Sequence, residues 1–433
     1  MSSFEDNLRD VDSYSRSMKG RLVHAPGGVL RHPYVVAAGQ PSFSYLVDWD
    51  AVWGGASFLV DGDPEPLRGS ILNILEHVGQ GGKGSRVLGP EGPVRALAFT
   101  NRPFVAAGAH ALCRELGSAE WLGAEGYARL HALVLYWHRN RRSGRGLLRW
   151  LTVDEGFADN GLANWTFERS TVEAVDLNAQ MILEHAAAAR IAEMLGLTEE
   201  AEEHSRLGRG LAAAIGRYLW NEERGSYQSV YAPDAEVPAN EQQPRFIERL
   251  TYTNLWPLWL GLADEERARR VIERYVLAPE HFLSEHGLRS TSASEPYYNN
   301  ARGGTTLPYP PPEPEAPWPL GTPIGCSNWQ GPIWSLTNYL LILALARYGY
   351  AREARSLCEK VMGLLANDAR TSGEGAFHEN YHAETGEPLN FADGFGSWSL
   401  MIRHLPADLD ATEKGDGCFF SRGLDLPRTV SRT

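Results

Sequence analysis

Apolar residues recur every three to four positions through most of the 433-residue chain, and the strict alternation that marks half-buried strands is scarce. A chain patterned this way folds as packed helices. The spacing predicts helices over Phe4–Lys19, Pro66–Val78, Arg102–Leu116, Ala119–Asn140, Thr171–Leu195, Glu199–Trp220, Asp264–Val276, Pro332–Tyr348, Ala351–Leu365 and Phe395–Leu405. Within Thr171–Leu195, Val172, Val175, Ala179, Ile182, Leu183 and Ala186 mark one buried face, with Glu184 and Arg190 outside it. Glu199–Trp220 opens on Glu199, Glu200, Glu202 and Glu203, an acidic first turn suited to the positive end of a helix dipole. The connecting segments are long, among them Gly79–Val94, Ala232–Arg249 and the Pro- and Gly-crowded Gly303–Gly325. Loops longer than ~12–15 residues inside a compact domain tend to carry function. No composition shift marks an interdomain linker, and no repeat of fixed period is present. About ten to twelve paired helices with long loops fit an all-α closed ring of hairpins, the (α/α)6 toroid, spanning 1–433 as one domain. Two stacked helical domains fit the same count.

Charge narrows the function. With 41 basic against 54 acidic residues the formal charge is −13, and no basic stripe breaks it, so nucleic acid and anionic membrane surfaces are disfavoured partners. The longest apolar run, Tyr339–Ala346, is far short of the ~20 residues that a membrane span needs. The polar, acidic start MSSFEDNLRDVDSYS resembles neither a signal nor a transit peptide. Cys113, Cys326, Cys358 and Cys418 are scattered without a CxxC pair, which reads as reduced thiols and a cytoplasmic setting. No feature specifies a cofactor or an oligomeric state.

The 44 Trp, Tyr and Phe residues sit unusually often beside Gly, Pro, Asn and Asp. Tyr45-Leu-Val-Asp48-Trp49-Asp50-Ala-Val-Trp53 sets carboxylates among aromatics just before an expected helix, as a sugar with apolar CH faces and polar hydroxyls requires. A core Trp beside a capping Asp explains it equally. Asp154-Glu155-Gly-Phe157-Ala-Asp159-Asn160, followed by Asn164-Trp165, places three acids on a broken loop ahead of Asp176-Leu-Asn178; a solvated turn is the plainer alternative. In Asn328-Trp329-Gln330-Gly-Pro332-Ile-Trp334, Pro332 suits a first helical turn and gathers Trp329, Gln330 and Trp334 at a helix start. Finally, His378-Glu379-Asn-Tyr381-His382 is a literal zinc-protease string, but its flanks, Gly373, Gly375 and Thr385-Gly386-Glu387-Pro388, break the helix that two zinc-binding histidines need. The expectation is therefore no metal. Isolated carboxylates framed by aromatics suit glycoside hydrolysis, in which one carboxylic acid protonates the leaving oxygen and a second carboxylate activates water or attacks.

These motifs, in this order, resemble glycoside hydrolase family 63, particularly its compact bacterial branch related to mannosylglycerate and glucosylglycerate hydrolases, and more distantly the family 37 trehalases. Trp49-Asp50, Phe157-Ala-Asp159-Asn160, Asp176-Leu-Asn178, Trp329-Gln-Gly-Pro-Ile-Trp334 and Glu379-Asn-Tyr381 through Thr385-Gly386-Glu387 carry the likeness, over roughly residues 31 to 402. It implies an (α/α)6 barrel and an inverting, exo-acting α-glycosidase for a small α-glucoside or α-mannoside. Asp159 would be the general acid and Glu379 the general base. Asp50 would hold the sugar, with Trp49, Trp329, Gln330 and Tyr381 lining that subsite. From their placement around isolated carboxylates, Tyr45, Trp49, Trp53, Trp165, Trp329, Trp334 and Tyr381 are expected to form the walls of a sugar pocket. Inversion implies carboxyl groups ~6.5–9.5 Å apart. Three positions depart from the pattern: Phe157 replaces a glycine, Ala383 a proline, and Phe43-Ser-Tyr-Leu-Val47 the more aromatic run of glycerate-specific members. A sugar isomerase or epimerase on the same toroid and a non-catalytic carbohydrate-binding protein are the alternatives.

Overall fold

The computed structural model describes residues 2–40, 43–94, 99–152, 155–164, 170–234, 245–304, 327–389 and 394–429. Six helices form an inner ring: Asp48–Val60, Val105–Leu116, Val175–Met194, the short Trp256–Trp259, Ser335–Arg347 and the 3-10 helix Ser397–His404. Each touches the next, and Ser397–His404 returns to Asp48–Val60, so the ring closes. Outside lie Phe4–Ser17, Glu65–Glu76, Gly123–Asn140, Thr198–Tyr218, Glu265–Val271 with its π-helical continuation Ile272–Val276, and Ala351–Ser372. The first helix, Phe4–Ser17, packs between Ala351–Ser372 and Ser397–His404, so the two ends of the chain complete the circle together. This is an (α/α)6 barrel.

The two layers follow from composition. An outer helix needs one apolar stripe, and Thr198–Tyr218 has it in Ala201, His204, Gly208, Leu211, Ala212 and Ile215. An inner helix is enclosed all round: every residue of Asp48–Val60 but the last is buried, as is every residue of Ser335–Arg347 but the last. Close approach requires small residues. A Cβ on Gly108 would lie 2.6 Å from Val52 Cγ1 of the neighbouring inner helix, and one on Gly55 would lie 2.8 Å from Leu67 Cα of the outer helix.

Several expected boundaries move for the same reason. The aromatic segment Asp48–Trp53 is not ahead of a helix but is the first turn and a half of one. Pro332 precedes its helix by three residues and lies in an extended stretch, where Ile333 pairs with both Arg289 and Tyr381. Glu184, expected on an outer face, is buried, and its carboxylate accepts the amides of Ala106 and Ala107 at 2.9 and 2.8 Å. It caps the otherwise unpaired start of the adjacent inner helix. Cys113, Cys358 and Cys418 are buried free thiols, and Cys326 lies outside the described residues. Among the described residues no helix is long and apolar enough to cross a membrane.

Three helices are also joined by a chain of imidazoles. His138 Nε2 lies 2.8 Å from His185 Nε2, His185 Nδ1 lies 3.0 Å from His204 Nδ1, and His204 Nε2 lies 3.0 Å from His131 Nδ1. A neutral imidazole offers one donor and one acceptor, so four neutral rings satisfy the three links in one direction. His131 Nε2 faces Glu203 Oε2 at 3.9 Å, so the donors point toward that carboxylate. Protonating an interior ring sets N–H against N–H. Burial accordingly holds His185 well below its ordinary value, His204 at about 3 and His138 at about 4, and lowers His131 against the pull of Glu203 and Glu200. These groups are neutral when folded and charged when unfolded at low pH. Their contribution is present above the unfolded value of about 6.5 and is lost as pH falls below it, by about 1.4 kcal/mol per histidine per pH unit. The stability difference between the protein and a His185→Phe/His204→Phe variant, measured by chemical denaturation between pH 8 and 5, should change with pH by up to two protons below about pH 6.5. A difference that is level across that range contradicts the assignment.

Candidate active site

A cavity of about 250 Å³ opens at one end of the barrel, lined by residues from the inner-helix starts and the loops above them. The start of Asp48–Val60 supplies Trp49 and Asp50, and the loop before Val105–Leu116 supplies Arg102. The acid-rich loop contributes Asp159, the extended segment before Ser335–Arg347 contributes Ser327 and Trp329, and the segment after Ala351–Ser372 contributes Glu379. Trp398 comes from the last inner helix. Larger clefts occur on the outer surface, one of about 570 Å³ between Arg31, Glu76 and Arg129, whose carboxylates among the described residues are Glu76 and Glu125.

Asp159 is held by two guanidiniums. Arg86 Nη2 and Arg102 Nη2 both donate to its Oδ1, at 2.8 and 2.5 Å, and Ser327 Oγ donates to its Oδ2 at 3.1 Å. Ser327 in turn accepts Trp329 Nε1 at 2.9 Å. Burial alone would raise the Asp159 carboxyl; Arg102 and Arg86 outweigh it and hold the group below the ordinary carboxylate value. Arg102 also lies over the Trp49 ring, 4.9 Å from its centroid. Its own backbone amide donates to Asp48 Oδ2 at 2.6 Å, which ties the clamp to the first residue of the inner helix.

Glu379 and Asp50 have the opposite environment. Glu379 is 7 % exposed, and its Oε2 has no hydrogen-bond partner among the described residues. Burial, then the charges of Asp159 and Asp50, push its carboxyl well above the ordinary value. Burial also raises Asp50 to about 7, against the opposing pull of Arg102. At neutral pH the three carboxyl groups therefore retain a proton, carried on the Glu379 and Asp50 side.

The acid-rich loop and the base segment are braced from behind. Phe157, at the position where the resemblance has glycine, stacks on Trp256 at 4.7 Å and 15° and packs against Trp49 at 4.9 Å. Its carbonyl accepts Tyr252 Oη at 2.5 Å. A phenyl ring thus anchors a turn that a glycine would leave to the backbone alone. Asn160 Oδ1 accepts the Trp329 amide at 2.8 Å, and Asn160 O accepts Gln330 Nε2 at 3.2 Å. Asp368, near the end of Ala351–Ser372, accepts the His378 amide at 3.1 Å and Tyr381 Oη at 2.7 Å, fixing the segment that carries Glu379.

Of the residues singled out from sequence, Tyr45, Trp49, Asp50, Asp159, Trp329 and Glu379 meet at the cavity. Trp53, Gln330, Tyr381 and Trp334 do not line it. Trp53 is buried in the core between Phe104 and Phe420, because a helix starting at Asp48 puts it one turn, ~6 Å, deeper than Trp49. Gln330 braces the acid-rich loop, and Tyr381 braces the base segment from behind. Trp334 likewise lies beneath Trp329, its ring 3.6 Å away and nearly parallel. Trp165 and Asp154 lie outside the described residues. The segment His378–His382 is not helical: His378 Nδ1 engages Asp368 at 3.1 Å, and His382 Nδ1 accepts the amides of Glu384 and Thr385. Among the described residues no group of three or more His, Cys, Asp or Glu could hold a metal ion.

Arg86, Arg102, Ser327 and Trp398 were not singled out from sequence. Trp398 carries the same signal as the others, an aromatic ring beside Gly396 and Ser397. The arginines lie 73 and 57 residues from Asp159 and have no local signature.

Comparison with known proteins places the chain. The model of the mannosylglycerate hydrolase MGH1-like glycoside hydrolase domain matches residues 46–399. The mannosylglycerate hydrolase of Rubrobacter radiotolerans is 27% identical over 215 residues, 49% of this chain and 39% of that protein. The periplasmic trehalase of Salmonella newport (strain SL254) is 30% identical over 134 residues, 31% of this chain and 21% of that protein. The matches thus cover well under half of these curated relatives. A crystal structure of a GH63 mannosylglycerate hydrolase from Thermus thermophilus, in complex with Tris and D-glycerate, superposes with a TM-score of 0.66 at 18% identity, covering 92% of this chain and 100% of that one. With the family model spanning most of its length, the chain belongs to the MGH1-like glycoside hydrolase domain family.

Proposed function

We propose that the protein is an inverting, exo-acting α-glycosidase of a small α-glucoside or α-mannoside, working as one domain over residues 1–433. The observation that carries this reading is the convergence of Asp50, Asp159 and Glu379 from three distant segments into one aromatic-walled cavity. Among the described residues, the acidic and basic groups lining it are these carboxyls, two guanidiniums and the Tyr45 phenol, the equipment of glycoside hydrolysis and not the imidazoles of a histidine-based isomerase. Buried free thiols fit a reducing, cytoplasmic setting.

In the assigned mechanism Trp49, Trp329 and Trp398 enclose the sugar and Asp50 accepts its hydroxyls. Asp159 protonates the leaving oxygen, and Glu379 takes a proton from the water that attacks the opposite face of the ring. This requires the shared proton on Asp159 at the moment of cleavage. In the free site Arg86 and Arg102 favour it on Glu379, so binding must move it. The same observation favours a second reading, in which Glu379 is the acid and Asp159 the base.

Asp159→Asn and Glu379→Gln should each lower kcat on O-glycosides by about 10²–10⁴-fold with the fold intact. Glycosyl fluorides, whose leaving group needs no acid, separate the two readings. The first predicts that Asp159→Asn retains fluoride hydrolysis and Glu379→Gln does not; the second predicts the reverse. If either variant keeps wild-type turnover on O-glycosides, that carboxyl has no catalytic role. The raised carboxyls also predict that the high-pH decline of kcat/KM lies above the ordinary carboxyl range. A decline already complete at about pH 5 would mean ordinary carboxyl values.

A further inference from the structure

The acid fixes where a leaving group must lie. Arg86, which binds Asp159 Oδ1 at 2.8 Å, leads directly into the strand Val87–Gly89, and that strand pairs with Leu46–Val47 so that Val47 faces Val87. The Arg86 amide donates to Phe99 O at 3.1 Å, and its guanidinium lies 6.0 Å from the Phe99 ring centroid. On the Arg86 side of the acid the cavity lining is therefore Val47, Val87 and Phe99. It continues outward to Tyr45, which is 41 % exposed at the mouth and meets Phe43 edge-on at 5.9 Å. None of these side chains is charged.

The cavity's cations do not face this wall as an anion site. Both guanidiniums converge on one oxygen of Asp159, with side chains only 8% and 3% exposed. A carboxylate on the leaving group would have to compete with Asp159 for guanidiniums that are already engaged.

We propose that Tyr45, Val47, Val87 and Phe99 form a leaving-group subsite for an apolar or aromatic alcohol, selecting against an anionic alcohol such as glycerate. The proposal rests on the glycosidase reading with Asp159 as acid, and names the substrate class of that site. The engagement of both guanidiniums by Asp159 leaves a leaving-group carboxylate without a free cation partner on this wall, and covering the aromatic wall favours an apolar group.

The test compares kcat/KM for α-glucosides and α-mannosides of 2-phenylethanol, glycerol and D-glycerate. All three leaving groups are aliphatic alcohols, so differences report recognition more than bond activation. The phenylethyl glycosides should exceed the glycerate conjugates by about tenfold or more. In Tyr45→Ala and Phe99→Ala, the ratio of phenylethyl to glycerol glycoside turnover should fall toward one. Equal or better turnover of the glycerate conjugates overturns the leaving-group assignment while leaving the hydrolase reading intact, and so does an unchanged ratio in both variants. Hydrolysis of no member of the panel overturns the hydrolase reading, and this assignment with it.

Discussion

The clamp of Arg86 and Arg102 on Asp159 is the interaction on which the architecture of the site depends. It joins four separate pieces of chain: the strand Val87–Gly89, the loop entering Val105–Leu116, the acid-rich loop, and, through the Arg102 amide on Asp48, the start of Asp48–Val60. Its charge also makes three neighbouring carboxyls tolerable. Two buried cations compensate one carboxylate strongly, while burial raises the other two carboxyls, which share a proton. A buried ion pair contributes little net stability on its own, but removing one partner leaves an uncompensated charge at a cost of about 3–5 kcal/mol. The clamp is thus a positional constraint more than a source of stability.

Behind it, aromatic packing supplies the rigidity. Phe157 stacks on Trp256, Tyr252 stacks on Trp329, and Trp329 lies on Trp334. These contacts link the acid-rich loop to the segment before Ser335–Arg347, so the carboxylates and the cavity-lining rings are held by one continuous core. The inner helix ring makes this possible: closed and buried on every side, it presents its six helix starts and loops as a fixed frame.

Most of the outer layer was legible in the sequence, because a half-exposed helix must alternate apolar and polar residues with helical period. The inner layer was less so. Asp48–Val60 is apolar on all faces, offers no periodic contrast and was not predicted as a helix; Trp256–Trp259 is too short to show a period. That omission also misplaced Trp53, since only the helix start at Asp48 reveals which aromatic points to the cavity. Motif residues bearing unusual neighbours, such as Asp50, Asp159, Trp329 and Glu379, stood out. The arginines did not, because their significance arises only when the ring closes distant segments onto Asp159.

The most direct test of the central claim, that Asp159 and Glu379 act on opposite faces of a bound α-glycoside, is the anomeric configuration of the first product, followed by proton NMR during rapid hydrolysis. The β-anomer should appear first and mutarotate afterwards. Initial release of the α-anomer would mean a retained configuration and would contradict the direct attack of water.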